Sequence, residues 1–163
     1  MRLHLTLKCS TEEQARIIGA ALQEQWRGVG IQLEVRPLEL ATLFADVAKG
    51  NFQMTHQRWV GNTDPDFFEY AFSSKRFPPD GANRGHYRSA RIDALTDQIR
   101  LEMNQEKRQA LCSEVQKILA KDLPHLPMWF NDLVSVHRRS FGALNLPSTG
   151  NYNFLTTLQA TEK

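Results

Sequence analysis

Residues 3–37, LHLTLKCSTEEQARIIGAALQEQWRGVGIQLEVRP, decide the fold class. Leu3, Leu5 and Leu7 alternate with His4, Thr6 and Lys8, the period of two of a half-buried strand. Ser10-Thr11-Glu12-Glu13 offers a capping box, with Ser10 as N-cap and Glu13 reaching back. Ala15, Ile18, Leu22 and Trp26 follow at spacings of three and four, one apolar helix stripe. Gly28 and Gly30 suit the helix exit. Ile31, Leu33 and Val35 then alternate with Gln32, Glu34 and Arg36 until Pro37 closes the strand. Strand, helix, strand at this spacing is a βαβ unit with parallel pairing.

A second unit continues the pattern. Leu40, Leu43, Phe44 and Val47 predict a short helix, and Phe52 to Val60 a strand carrying Met54 and Trp59. Asn62 to Pro65 is turn material, and Asp66 is placed to cap a short aromatic helix over Phe67 to Phe72. Ser73 to Arg88, with Pro78-Pro79 and Asp80-Gly81, reads as a long exposed loop. Ser89 caps a helix burying Ile92, Leu95 and Ile99. Asn104 separates it from another with Leu111, Val115, Ile118 and Leu119, ended by Pro124 and Pro127. Met128 to Phe130, Leu133 to His137 and Phe154 to Leu158 carry strand patterns. The expected architecture is α/β: βαβ units with a mainly parallel mixed sheet flanked by helices. Residues 1–140 form the principal domain and 141–163 a loosely attached tail.

Composition narrows the function classes. At 163 residues the chain suits one domain with a substantial core, and 41% hydrophobic with 23% charged residues argues against disorder. No apolar run is long enough to span a bilayer, and the first ten residues carry no signal-peptide h-region. A formal net charge of +2 is too balanced for a nucleic-acid footprint. Cys9 and Cys112 have no metal or redox spacing; two buried thiols are favoured over one long-range disulfide.

Enzyme motifs are missing. There is no G-x-S-x-G elbow, no Cys–His–acid arrangement and no phosphate-cradling glycine pattern. His4, His56, His86, His125 and His137 never fall at helical metal spacing. Asp64 and Asp66 flank Pro65, too few oxygen ligands for calcium and better read as a turn and a helix cap. Arg84, Arg88 and Arg91, like His137-Arg138-Arg139, read as solvated surface. Trp26 and Trp129 read as core. Trp59 differs, because it ends a strand and opens into Val60-Gly61-Asn62-Thr63. Ligands of parallel α/β folds sit beyond the carboxyl ends of strands, so Trp59 is either a ligand wall or core.

Several segments together resemble the family 5 extracellular solute-binding proteins, which serve dipeptide, oligopeptide and nickel ABC importers. They are Gly28-Val29-Gly30-Ile31, Leu33-Glu34-Val35, Ala45 to Phe52, Arg58-Trp59-Val60-Gly61 with Asp64-Pro65-Asp66, Asn83-Arg84-Gly85, Arg91-Ile92-Asp93, and Glu114 to Pro124. The resemblance implies the C-terminal lobe of a two-lobed periplasmic binder, far longer in full than one domain. It implies no catalysis, no cofactor and no bound metal. The implied partners are a peptide or related small polar solute, the N-terminal lobe of the same protein, and an ABC permease. Residues 141–163 would return to the first lobe. The ligand-binding residues it implies are Trp59 and Asn62, with His56 and Arg58 behind them, while Gly61, Asp64 and Pro65 shape the turn. Asn62 stands where the peptide-binding branch has an aspartate for the peptide's ammonium group, so the bond there is weaker. The short spacing from Trp59 to Asp64-Pro65 looks more like the nickel-binding branch. The competing expectation is a ligand-sensing or interaction module of a larger regulatory protein.

Overall fold

A computed structural model describes residues 3–138, 140–142, 144, 146–147, 149 and 151–157. In chain order it contains β1 (Leu3–Ser10), α1 (Glu13–Gly28), β2 (Ile31–Leu38), α2 (Leu40–Ala48), β3 (Met54–Thr55), α3 (Phe67–Phe72), α4 (Ala90–Leu101) and α5 (Gln105–Asp122), then a 3-10 turn at Asn153–Thr157. These divide into a larger unit, Met1–Arg58 with Pro65–Pro124, and a smaller one, Trp59–Asp64 with His125–Lys163.

The larger unit is built on a parallel sheet of order β2-β1-β3. β1 and β2 run in register from Leu3 opposite Ile31 to Ser10 opposite Leu38, which places Leu7 beside Val35 on one face. Two right-handed crossovers leaving β1 and returning past it lie on opposite faces of the sheet. The contacts agree: Gly19 of α1 lies against Val35, whereas Asp46 of α2 holds Lys8, which points to the other face. The Lys8 ammonium donates to the Asp46 carboxylate at 2.7 Å and to the Asn51 carbonyl. The Lys8 bond, then one from the Asn51 amide, holds the Asp46 carboxyl below its ordinary range.

Gly19 is buried mid-helix because the sheet comes so close. A Cβ there would stand 2.7 Å from Val35 Cγ1. Alanine normally gains about 1 kcal/mol over glycine in a helix. Val35 is β-branched and stiff, so the overpacking outweighs that gain. Gly19→Ala is expected to destabilise the chain by about 1–2 kcal/mol in urea unfolding; a stabilised variant would show that α1 moves freely away from the sheet.

α3, α4 and α5 form a second packed layer, with α4 against both neighbours. Ile92, Leu95 and Ile99 are fully buried, the stripe the sequence predicts for α4; on α5 Val115 is buried, whereas Leu111, Ile118 and Leu119 are half-buried. The Ser89 hydroxyl caps α4 and the Asn104 side chain caps α5.

Several local expectations are corrected. Ser10 remains in β1, so Glu12 is the N-cap of α1 and no side chain caps it. Asp66 precedes α3 without capping it, and its carboxylate takes the Arg108 guanidinium at 3.1 Å. The strand expected over Phe52 to Val60 shrinks to Met54–Thr55. Upstream, the Gln53 side chain replaces the strand by accepting from Thr6 N–H at 2.8 Å; downstream, Gln57 turns to Arg84. Residues 73–88 are irregular and only partly exposed: Lys75, Pro79, Asp80, Gly85, His86 and Arg88 are exposed, whereas Ser73, Ala82 and Asn83 are buried. Cys9 is buried, which raises its thiol pKa, and no disulfide joins it to Cys112.

In the smaller unit, residues 126–138 take no regular secondary structure. The strands expected at Met128 to Phe130 and Leu133 to His137 are absent as ladders, and Phe130, Val134 and Val136 are each more than 80% exposed. An alternating pattern prepares a strand, but pairing needs a partner edge. Trp129, expected in the core, is exposed, and its indole N–H donates to the Asn131 side chain. Phe154 lies in the 3-10 turn rather than a strand, and Leu158 falls outside the described residues, as does Arg139.

Candidate functional site

β3 delivers its chain to the carboxyl end of the sheet, where His56 N–H makes one last ladder bond to the Lys8 carbonyl at 3.2 Å. Burial lowers the pKa of the half-buried His56 ring, opposed by the charge of Glu12. The next side chain, Gln57, accepts from the Arg84 guanidinium through Oε1. Arg84 also lies over the Phe44 ring, 5.7 Å from its centroid. Burial pulls the Arg84 pKa down, against the charge of Tyr70. Two polar atoms in this corner, Thr55 Oγ1 and Gln57 Nε2, are buried without a hydrogen-bond partner among the described residues. Arg58, exposed, is the last residue before the chain enters the smaller unit.

In the smaller unit Trp59 is half-buried, and its ring is stacked on His125, with centroids 6.3 Å apart and planes at 29°. Val60, Gly61, Asn62, Thr63 and Asp64 are exposed. Gly61 has a φ of +74°, a left-handed conformation that disfavours any side chain there. Pro65 re-enters the larger unit, and its carbonyl accepts from Phe68 N–H at 2.9 Å to start α3.

The site residues read from the sequence therefore fall in two groups. Trp59, Gly61, Asn62 and Asp64 belong to the smaller unit; His56, Arg58 and Pro65 belong to the larger. Sequence reasoning missed His125, one of five isolated histidines with no spacing signal. It also read Arg84 as solvated, although its neighbour Asn83 is 1% exposed. Elsewhere, a depression of about 330 Å³ on the sheet is lined by His4, Thr6, Gln32, Glu34 and Gln53, with Leu5. Its lining is open and polar, without the apolar walls of a typical solute site.

Chemically, the turn after Trp59 offers a flat apolar ring, a neutral amide at Asn62 and exposed backbone groups. Among the described residues no group of three His, Cys, Asp or Glu side chains is placed to hold a metal, and no helix is long and apolar enough to cross a membrane.

No family model matches the chain. The probable deoxycholate-binding periplasmic protein YgiS of Escherichia coli K12 is 25% identical over 135 residues, covering 81% of this chain and 24% of that protein. The glutathione-binding protein GsiB of Salmonella choleraesuis is 27% identical over 137 residues, covering 78% and 27%. The solved structure of MppA, a periplasmic murein tripeptide binding protein in its unliganded open form, superposes with a TM-score of 0.67 at 25% identity. That match covers 76% of this chain and 24% of MppA. In sequence and in fold the chain is similar to part of these periplasmic binding proteins. The resemblance read from the sequence, the α/β fold and the extracytoplasmic location all agree with these relatives. The chain spans about a quarter of the length of the relatives it matches. Those relatives are named as binding proteins, not enzymes.

Proposed function

We propose that this chain is the C-terminal lobe of a two-lobed protein that captures a small polar solute, without catalysis, for delivery to an ABC permease. The observation that carries this reading is the kinship of a parallel βαβ lobe with binding proteins about four times as long. Supporting it, the turn after Trp59 offers binding groups and none of the catalytic motifs sought in the sequence. Trp59 supplies an apolar wall, and Asn62 with the backbone at 61–64 supplies hydrogen bonds. His56 and Arg58 stand behind them in the chain. The segment that returns to the first lobe lies within the stretch after Pro124. Hinge closure then buries the solute between the lobes.

The test is calorimetry on the chain alone and on the chain rejoined to its N-terminal lobe. The probes are glutathione, a murein-type tripeptide, deoxycholate and a nickel–histidine chelate. The rejoined protein is expected to bind one of these tightly and the single lobe to bind it weakly, since half the contacts are missing. Trp59→Ala in the rejoined protein is expected to weaken binding at least tenfold, about 1.4 kcal/mol. Unchanged affinity would remove Trp59 from the site. Equally tight binding by the single lobe would overturn the two-lobed reading.

A further inference from the structure

β3 is a ladder of two residues, Met54 opposite Leu7 and Thr55 opposite Lys8, laid against a strand of eight. So short a pairing specifies its register weakly, and a slip of one residue turns every following side chain to the other face. One place upstream, in the same register, Gln53 Oε1 accepts from Thr6 N–H at 2.8 Å, the bond that a strand carbonyl would otherwise make. One place downstream, His56 N–H reaches the Lys8 carbonyl at 3.2 Å. Thr6 and Lys8 thus both turn backbone groups toward β3, the period of two of a strand, while Leu5 and Leu7 turn theirs toward β2. A slip of one residue would bring Gln53 opposite an amide that points away from it. The neighbouring contacts are more tolerant. Lys8 holds the Asn51 carbonyl and Arg84 holds Gln57 through long side chains, which can follow a shift of about 3.3 Å along the strand.

We propose that Gln53 is a positioning residue for solute binding: its side chain locks the register of β3 on β1 and so sets which face His56 and Arg58 take as the chain leaves the sheet. This rests on the reading of those two residues as flanking the solute. A slip of one residue would turn His56 away and bring Gln57 into its place. Gln53 touches no solute itself. It lies in the open depression with His4 and Glu34, at the upstream end of β3, and its effect runs through the strand.

Hydrogen exchange on the 163-residue chain separates a register lock from a bond that merely fills one donor. Gln53→Met keeps the side-chain length and removes the acceptor, while Gln53→Glu restores an acceptor oxygen. In the wild-type chain the Thr6 and His56 amides are both expected to be protected. Gln53→Met is expected to speed the exchange of both about tenfold, His56 included although its own partner is untouched. Gln53→Glu should return both to within about threefold of wild type, and the Leu95 amide inside α4 should not change in either variant. Release of Thr6 without His56 would overturn the proposal, as would continued protection of both. Equal release of Leu95 would overturn it too, since the effect would then be a general loss of stability. In the rejoined two-lobed protein, with glutathione as the calorimetric probe and the tripeptide where glutathione does not bind, Gln53→Met is expected to weaken binding about fivefold. Gln53→Glu should return it to within about twofold of wild type. Unchanged affinity alongside a freed His56 amide would overturn the positioning role. If the rejoined protein binds no probe, the solute-binding reading fails, while the exchange rates still decide whether Gln53 locks the strand.

Discussion

Replacing Asn83 with leucine is expected to destabilise the chain by about 3–4 kcal/mol, although the two side chains have the same number of heavy atoms and the same branching. Asn83 is 1% exposed and lies in the irregular stretch between α3 and α4. Its amide nitrogen donates to the Phe72, Ser73 and Tyr87 carbonyls at 3.3, 3.0 and 2.7 Å, and its Oδ1 accepts from Tyr87 N–H at 2.9 Å. Leucine leaves three carbonyls and one N–H without these partners, at roughly 1–3 kcal/mol for each group that relaxation cannot re-pair. The bonds close the loop onto the end of α3, so their loss also frees its other anchors. Tyr87 donates its hydroxyl to Asp122 at 2.6 Å, and Arg84 reaches Gln57 beside β3. Urea unfolding should show a lower midpoint with an unchanged slope. A loss below 1 kcal/mol would mean that the loop is not closed by this amide.

A carboxylate does similar work at the mouth of the same loop. Asp93 on α4 accepts from the Ser73 hydroxyl at 3.0 Å, from Ser74 N–H at 2.8 Å and from the Ser74 hydroxyl at 2.5 Å. Burial pushes its pKa up, but the Ser74 and Ser73 bonds, with the charge of Lys75, outweigh this and hold it below the ordinary value. A carboxyl depressed in the folded state contributes stability above its unfolded pKa, near 4, and loses that contribution as pH falls through the folded value.

How much of this was legible follows from the range of each interaction. The βαβ core was, because Leu3, Leu5 and Leu7 and then Ile31, Leu33 and Val35 announce a buried face within a few residues. The closed loop was not. Pro78-Pro79 and Asp80-Gly81 are the local signature of an exposed turn, and nothing local says that Asn83 ties the segment to the carbonyls of Phe72 and Ser73. Trp129 failed for the opposite reason. Its apolar neighbours have the composition of a core segment, but burial needs a partner surface that the pattern does not encode, and Phe130 beside it is fully exposed.

The candidate site divides the same way. Asn62 and the turn residues were reached through resemblance to a family, Trp59 through its place after a strand. His125 was passed over, since a histidine between Pro124 and Leu126 has no periodic or spacing signal, and only the folded chain brings it to Trp59. Arg84 was read as solvated because it sits in a basic, proline-containing stretch. Its burial comes from Gln57 and Phe44, far away in sequence.

The helical layer offers the second large effect, and it separates packing from pattern. Leu95→Ala is expected to cost about 3–4 kcal/mol, within the range for a fully buried leucine that leaves a cavity. Leu95 is 0% exposed on α4, between Ile92 and Ile99 on the same buried face. α4 packs against both α3 and α5, so collapse into the cavity would have to move more than one helix. Asn83 and Asp93 also pin the loop entering α4, which opposes such relaxation and keeps the cost high. Phe130→Ser is the matched control: it removes a larger apolar side chain, yet the phenylalanine is fully exposed and should shift stability by less than about 0.5 kcal/mol. Both variants delete apolar groups, one from a helix stripe that the sequence reads as buried and one from a segment it reads as a strand. Equal losses in urea unfolding would show that the smaller unit packs around Phe130, whereas the expected inequality places a core in the layer of α3, α4 and α5.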